Sequence, residues 1–398
     1  MKRNQTKYRK PNPIIYYIYH FICKIIAKFI FNTKILRNEV KGVKGPYVVI
    51  ANHESQIDFI NLALISNRRM HMVISNSFYQ TLSIKPLLDM IKVIPKQQFQ
   101  TTPTDIRTMK RAIENNMPLG IYPVGLMTEN GLSTDPGISI GKLLKFLKTD
   151  VYVCYTEGSY LTQPKWSKVR RKGQITIDAY KLISKEELAT ISNEDLYQLV
   201  RKNIDYNSYQ NQKKNKILFK HGNNVEGLEY VLYQCPKCKS VKSIVSKDKT
   251  RLKCMCCSYE VEANNYGLFN SEEIIYDTPS DWSIEIIENL KEEMLLNPEY
   301  QLDDEVIISM INYQKHKFEE VGIGSISINK NNIILNGTIN NEKVELNYLT
   351  NTYPMLPFIP GKHLEIQDGQ NIYRLKFKDP YNIMIFINIL KIVNKSYI

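Results

Sequence analysis

The stretch Asn52-His53-Glu54-Ser55-Gln56-Ile57-Asp58 sets an aspartate five places after a histidine. An imidazole oriented by a carboxylate is a general base, able to take a proton from a hydroxyl. Histidine suits that task because its proton comes and goes near neutral pH. The pair follows the apolar run Tyr47-Val48-Val49-Ile50-Ala51, which reads as a buried strand. Phe59-Ile60-Asn61-Leu62-Ala63-Leu64-Ile65 reads as the helix after it. Strand-to-helix rims of this kind are where α/β proteins gather their chemistry. Residues five apart on a helix point about 140° apart. The two side chains therefore meet only if His53 lies in the turn and Asp58 in the first helical turn. Spacing leaves a second reading open: Ser55 as an N-cap, Asp58 as the acidic member of a capping box, and His53 as a loop histidine.

The second group of reactive side chains is sulfur. Of seven cysteines, Cys23 and Cys154 lie in apolar runs and read as small buried hydrophobes. The other five cluster as Cys235-Pro236-Lys237-Cys238 and, 15 residues on, Cys254-Met255-Cys256-Cys257. Two Cys-x-x-Cys pairs at that separation are the pattern of a zinc ribbon. Cys235, Cys238, Cys254 and Cys257 are the expected ligands, with Cys256 the spare. Four thiolates close the coordination sphere, so the zinc is expected to be structural. Nothing else points to the oxidising compartment that disulfides would require. Seven Lys and Arg residues between 237 and 253 make the ribbon basic. It lacks the aromatic interleaving that stacks bases, which argues against a nucleic-acid partner.

The elements around the His-Asp pair alternate. Val93-Ile94-Pro95 reads as a strand end and Asp105–Ile113 as a helix that sets Arg107, Lys110 and Arg111 on one face. That face is either a solvated stripe or a phosphate contact. Ile121-Tyr122-Pro123-Val124-Gly125 follows a further strand, Gly141–Leu147 reads as a short amphipathic helix, and Val151–Tyr155 and Gln174–Ile177 read as strands. Alternation over roughly residues 40–180 predicts an α/β sheet with crossover helices.

Asn-His-x-Ser-x-x-Asp, followed in order by Ile-Pro and by Tyr-Pro-Val-Gly, resembles the motifs of the glycerolipid acyltransferases, the 1-acylglycerol-3-phosphate acyltransferases and their relatives. Gly158-Ser159-Tyr160-Leu161, Gln163-Pro164-Lys165-Trp166 and Arg170-Arg171-Lys172-Gly173 resemble the tail of a bacterial branch that also carries an inserted ribbon. The resemblance covers about the first half of the chain. It implies an O-acyltransferase in which His53 takes the proton of a lipid hydroxyl and Asp58 holds the histidine's tautomer. The oxygen then attacks the thioester of acyl-CoA or acyl-carrier protein directly, in keeping with the lack of a Gly-x-Ser-x-Gly elbow. It further implies substrate contacts at Ser55, Lys96, Arg107, Arg111, Pro123 and Gly125. The chain departs from the pattern at three places, one of them Leu126-Met127-Thr128, where an arginine or serine is usual. Lys96, Gln97 and Gln98 stand where an arginine is usual, and Val124 stands where the family has a glutamate. A valine accepts no hydrogen bond. Glu129 substituting from a shifted loop, a different acceptor, and weak turnover are the readings this leaves.

A net charge of +13 and a pI of about 9.1 imply anionic partners such as lipid head groups, CoA or carrier protein. The N-terminus narrows the choice. Lys2, Arg3, Lys7, Arg9 and Lys10 form a basic head before the apolar run Ile14–Phe31. His20, Lys24 and Lys28 recur every four residues in that run, and burying two lysines in a bilayer costs about 2.5–3.5 kcal/mol each near its middle. The expectation is a helix lying in the membrane interface with that stripe wet, on the cytoplasmic face, monotopic or peripheral. No small-residue cleavage site follows, so a signal peptide is not expected.

At 398 residues the chain is long enough for two or three units. Residues 1–38 are expected to be the basic head and interfacial helix, 39–200 the acyltransferase domain, 201–228 an exposed linker, 229–265 the ribbon, 266–316 linker helices and 317–398 a β-rich unit. The spacing of Trp282, Ile286, Ile287, Leu290 and Met294 predicts a helix, and alternating runs from Ile323 to Phe377 predict strands before a closing helix after Asp379-Pro380. That pattern looks like a small pleckstrin-homology-like (PH-like) barrel. The expected fold is an α/β acyltransferase domain with an N-terminal interfacial helix, a zinc ribbon and a PH-like domain closed by a helix. The expected function is membrane-associated acyl transfer to a lysophosphatidate-like hydroxyl. A membrane adaptor that kept the fold and lost acceptor binding, and a zinc-ribbon nucleic-acid binder, are the alternatives.

Overall fold

The computed structural model describes residues 8–81, 84–97, 102–271, 273–369 and 371–395. Lys2, Arg3 and Lys7 of the basic head, and Gln98, lie outside them. The first half is built on strands β1 (Thr33–Asn38), β2 (Tyr47–Ala51), β3 (His71–Ser75), β4 (Ile94–Lys96), β5 (Leu119–Ile121), β6 (Asp150–Glu157) and β7 (Ile175–Ile183). They form one sheet in the order β1-β7-β6-β2-β5-β3-β4. The pairs from β6 across to β4 are parallel, and β7 runs antiparallel to β6. β1 was not expected to belong to the sheet. It pairs in parallel with β7, so the sheet begins at Thr33.

Every residue of β2 is buried, as a central parallel strand requires. Its period of two divides the core. Tyr47, Val49 and Ala51 pack under α1 (Pro13–Phe29) and α2 (Asp58–Leu64). Val48 and Ile50 pack with Met109, Leu144 and Leu196 on the other face. The short helices α3 (Asn76–Thr81) and α4 (Lys85–Met90) lead to β4. On the second face lie α5 (Pro103–Glu114), α6 (Ser139–Leu147), α8 (Lys185–Thr190) and α9 (Asn193–Ile204), while α7 (Ser159–Thr162), just past β6, packs with Tyr209 and Phe219. Gly141 of α6 lets that helix approach α9, because a Cβ there would meet the Asn193 carbonyl at 2.7 Å.

Helix α1 corrects one expectation. His20 is not on a wet stripe: it is buried with Tyr16, Tyr19, Cys23 and Ala27 against the domain, and burial, then Lys24, lower its pKa. Met70 N–H donates to the Tyr16 hydroxyl at 3.0 Å, which fixes the helix to the sheet. At about 100° per residue the opposite side carries Ile14, Ile18, Phe21, Ile25 and Phe29, all exposed, with Lys24 and Lys28 along one margin. Phe21 is 62% exposed and Phe29 75%. No helix among the described residues is long and apolar enough to cross a membrane.

Residues 201–228 are not an exposed linker. α10 (Ser208–Asn215) buries Tyr209, which packs with Tyr160, Leu161 and Phe219. The polar composition misled because the segment's two tyrosines, Tyr206 and Tyr209, turn inward. Strands β8 (Ile244–Ser246), β9 (Arg251–Cys254), β10 (Glu260–Ala263) and β11 (Phe269–Asn270) form a small antiparallel sheet carrying the cysteines. α11 (Pro279–Leu296) follows and buries Trp282, Ile286, Ile287 and Leu290.

The last sheet starts earlier than 317. β12 (Gln301–Asn312) falls where linker helices were expected and pairs along its whole length with β13 (Lys317–Asn329). β14 (Asn332–Ile339), β15 (Glu342–Leu349), β16 (Phe358–Ile359), β17 (His363–Asp368) and β18 (Asn371–Phe377) complete the order β15-β14-β13-β12-β18-β17-β16. α12 (Asn382–Asn394) closes it, buried from Asn382 to Lys391. The ribbon, α11, this sheet and α12 share one apolar core.

A buried ion cluster ties the halves together. Glu129, from the loop after β5, takes a hydrogen bond from Lys391 of α12 and lies 3.6 Å from Lys165 Nζ. Lys165 Nζ also donates to the Met127 carbonyl at 3.0 Å and sits over the Phe358 ring. Burial works to raise the Glu129 pKa, but the Lys391 and Lys165 ammoniums more than reverse it and hold it at about 2. Burial pulls Lys165 down to about 7, against the pull of Glu129. Removing Glu129 strands two buried cations, and Glu129→Ala is expected to cost about 3–5 kcal/mol in denaturant unfolding. Because the folded carboxyl titrates below its ordinary 4.5, its contribution is full above that value and fades as pH falls toward 2. Stability measured across that window should fall with acid in the wild type, and less steeply in Glu129→Gln.

Candidate active site

His53 leaves the end of β2 and Asp58 opens α2. The His53 Nδ1 to Asp58 Oδ2 distance is 3.0 Å. The same Oδ2 accepts the backbone N–H of Glu54 at 2.7 Å and of Ser55 at 2.8 Å. The carboxylate is 1% exposed at the positive end of a helix, while the imidazole is 20% exposed. An anionic acceptor at Nδ1 requires the proton there, which leaves Nε2 as the basic nitrogen. Nε2 takes no hydrogen bond among the described residues. Asp58 thus does two jobs: it holds the turn, as the capping reading asked, and it orients the histidine.

Ser55 is not the N-cap. Ile57 occupies that position without a side-chain cap, and the Ser55 hydroxyl donates to the Gln163 carbonyl at 2.7 Å. That bond reaches across to α7 and locks the motif against the strand β6 side of the sheet. Asn52 adds a second lock. Its amide donates to the Thr156 carbonyl at 2.7 Å and accepts the Thr156 N–H at 2.8 Å. Glu54 points inward, with Oε2 accepting the Tyr160 N–H at 3.0 Å. Burial first, and then the Asp58 charge, push its carboxyl well above the usual range.

The loop after β5 delivers Tyr122, whose ring stacks on His53 with centroids 4.4 Å apart. Pro123 and Gly125 lie in that turn. Gly125 has φ +72°, a backbone region that disfavours side chains, and its N–H donates to the Tyr122 carbonyl at 3.2 Å. Val124 is buried in the apolar cluster with Val48, Ile50 and Ile94, so it presents no acceptor. Glu129 does not stand in for the missing glutamate, because its carboxylate is committed to Lys391 and Lys165. Tyr206 was missed by sequence reasoning. Its hydroxyl donates to the His53 carbonyl at 3.0 Å and supports the loop from below.

Lys96 ends β4, partly buried, with Nζ donating to the Gln97 carbonyl at 3.2 Å. Arg107 and Arg111 are exposed on α5, and no hydrogen bond among the described residues joins them to the His53 turn. Lys110, between them, donates to the Leu147 carbonyl at the end of α6.

The four cysteines of the two knuckles converge, with all Sγ atoms within 4.8 Å of one another. Cys235 and Cys257 are 3.6 Å apart, and Cys238 and Cys254 3.7 Å. Tetrahedral metal–sulfur bonds of about 2.3 Å separate their sulfurs by about 3.8 Å. The donor set therefore fits a tetrahedral thiophilic metal. Cys256 lies outside the quartet, with its sulfur 3.2 Å from the Ser240 hydroxyl. The ribbon's cations are largely paired: Lys237, Lys239, Lys242, Lys247 and Arg251 each face an acidic partner.

The acyltransferase family model matches residues 31–161, which run from just before β1 into α7 and contain the whole His53 turn. Among solved structures, a 1-acyl-sn-glycerophosphate (LPA) acyltransferase from Thermotoga maritima is similar at 13% identity over 48% of this chain and 76% of its own, with a TM-score of 0.41. A comparison with curated proteins finds no match. The chain thus carries an acyltransferase domain over residues 31–161.

Proposed function

We propose that this protein is a membrane-associated O-acyltransferase that moves an acyl group from acyl-CoA or acyl-carrier protein to the hydroxyl of a lysophosphatidate-like glycerolipid. The 3.0 Å contact between His53 and Asp58, in a half-open turn, carries the reading. His53 Nε2 takes the proton of the lipid hydroxyl. The oxygen attacks the thioester carbonyl, the carbon–sulfur bond breaks, and the proton passes from His53 to the departing thiolate. Asp58 stabilises the imidazolium that forms between the two steps. Tyr122 holds one face of the ring, and Pro123 and Gly125 shape the rim where the acceptor arrives; Ser55, expected to touch substrate, is instead buried and spends its hydroxyl on the Gln163 carbonyl. Lys96, Arg107 and Arg111 are the cations we assign to anionic parts of lipid or donor.

The buried Val124 favours a second reading, an adaptor that kept the fold and lost turnover. With a labelled acyl thioester and a panel of lysolipids, wild-type protein should transfer label and His53→Ala should lose about 10²–10⁴-fold. Asp58→Asn should also lose activity, since the amide disturbs the Nδ1 proton. No transfer to any acceptor, or equal transfer by His53→Ala, rules out the enzyme.

The exposed apolar side of α1, edged by Lys24 and Lys28, supports docking on the cytoplasmic face of an anionic membrane. Burying one such side chain is worth about 1.5–3 kcal/mol. Phe21→Asp with Ile25→Asp is therefore expected to weaken binding to anionic vesicles at least tenfold, and unchanged sedimentation with vesicles would refute the assignment.

The cysteine quartet supports a structural zinc, and the strand order with its closing helix supports a PH-like reading of the C-terminal sheet. The paired cations of the ribbon disfavour nucleic acid. Elemental analysis should find about one zinc per chain, and Cys254→Ser should lose it together with thermal stability. Metal-free protein that melts like the wild type would count against a structural ion.

A further inference from the structure

The His53 turn leans on groups from outside itself. The loop after β5 supplies the Tyr122 ring that stacks on His53. The segment that opens with α7 supplies the Gln163 carbonyl that holds the Ser55 hydroxyl, and the Tyr160 N–H that binds Glu54. Tyr206, whose hydroxyl donates to the His53 carbonyl, is itself tied to the loop. The Ser133 N–H donates to the Tyr206 carbonyl at 3.0 Å, and the Ser208 N–H to the Gly131 carbonyl at 2.8 Å.

These supports meet at one point. Met127 and Glu129 belong to the loop, and Lys165 stands two residues past Gln163. Lys165 Nζ joins loop and segment through the Met127 carbonyl at 3.0 Å. The Tyr160 hydroxyl adds a tie by donating to the Glu129 carbonyl at 3.2 Å. Lys391 of α12 closes the point by bonding the Glu129 carboxylate. It stands in the last turn of its helix, where the free carbonyls favour a cation. Lys165 comes no nearer to that carboxylate than 3.6 Å, longer than a good hydrogen bond. All three side chains are buried, so water does not replace a lost partner. Without Lys391 the carboxylate must swing toward Lys165 or take up a proton. Either change slackens the loop that carries Tyr122, and a displacement of about 1 Å at a reacting centre costs about 10²-fold in rate.

We infer that Lys391 is a positioning residue for acyl transfer: by bonding Glu129 it holds the Tyr122 loop and the Gln163 segment in the arrangement that fixes His53. The C-terminal unit is then a working part of the active site, although the acyltransferase match ends at residue 161. The inference rests on the acyl-transfer reading above and adds to it a residue from the far end of the chain. A second bond between the units provides the contrast. Ser77 donates to Glu365 at 2.7 Å, but it stands on α3, which carries none of the groups that hold the His53 turn.

Steady-state transfer from a labelled acyl thioester, with full-length variants kept below their melting temperatures, tests the role. Lys391→Met should lower kcat by at least about tenfold and leave KM for both substrates unchanged. Lys391→Arg, which keeps charge and donors, should recover most of the loss. Glu129→Gln with Lys391→Met leaves no carboxylate unpaired, which guards the fold, and its kcat should stay as low as that of Lys391→Met. Ser77→Ala should keep the wild-type kcat. Nitrogen resonances of the His53 ring, identified by their loss in His53→Ala, should shift in Lys391→Met and hold in Ser77→Ala. Wild-type kcat with unmoved ring resonances in the double variant overturns the positioning role, as does a loss in Ser77→Ala equal to that in Lys391→Met. Transfer that survives His53→Ala overturns the acyl-transfer reading instead.

Discussion

Oδ2 of Asp58 accepts three hydrogen bonds within a single turn, from His53 Nδ1 and from the N–H groups of Glu54 and Ser55. An ionised acceptor buried to 1% exposure is costly unless its surroundings supply donors and positive potential. Here the two backbone amides and the start of α2 supply both. The exit path of the chain from β2 and the proton position on His53 are therefore set together. Charge-assisted bonds of 2.7–3.0 Å leave little room for the imidazole to turn. Asn52 and Ser55 then lock the same turn to Thr156 and Gln163. The central, fully buried β2 beneath gives the turn a rigid base.

The rest of the molecule is joined to that base through polar contacts that only the assembled chain contains. Glu129 and Lys391 are 262 residues apart in sequence, and Ser77 and Glu365 are 288 apart. Both pairs cross from the acyltransferase unit to the C-terminal sheet and its helix. A buried ion cluster adds little net stability relative to an apolar core, yet it penalises any docking that leaves a member unpaired. Such contacts fix how the C-terminal unit sits on the rim. The shared core of ribbon, α11, sheet and α12 makes that unit one body and not a string of modules on linkers.

Much of the local structure was legible from residue types. The strand Tyr47–Ala51, the helices at Asp105–Ile113 and Gly141–Leu147, and the stripe of Trp282, Ile286, Ile287 and Leu290 follow from periodicity. The misses have physical causes. Polar composition hid the inward tyrosines of 201–228, because a segment with few apolar residues still packs if those few are large. β12 carries Asp303, Asp304 and Glu305, and that charge masked its alternation. His20 was placed by spacing on a wet stripe, but α1 rests on the domain through a face that spacing alone does not choose.

By itself the sequence determined the chemistry within reach: a histidine with an aspartate five places on, and two cysteine pairs at ribbon spacing. Those are short-range facts, since a turn of six residues can bring its own ends together and a knuckle can close on its own sulfurs. Tertiary structure alone decided which way α1 turns its apolar side. It also decided that Tyr122 stacks on His53, that Tyr206 supports its carbonyl, and that Glu129 is spent on Lys391 and Lys165. Each of these depends on partners brought together by the sheet order and by the packing of distant elements. No local pattern encodes that proximity, because burial and charge pairing are settled only when the layers close.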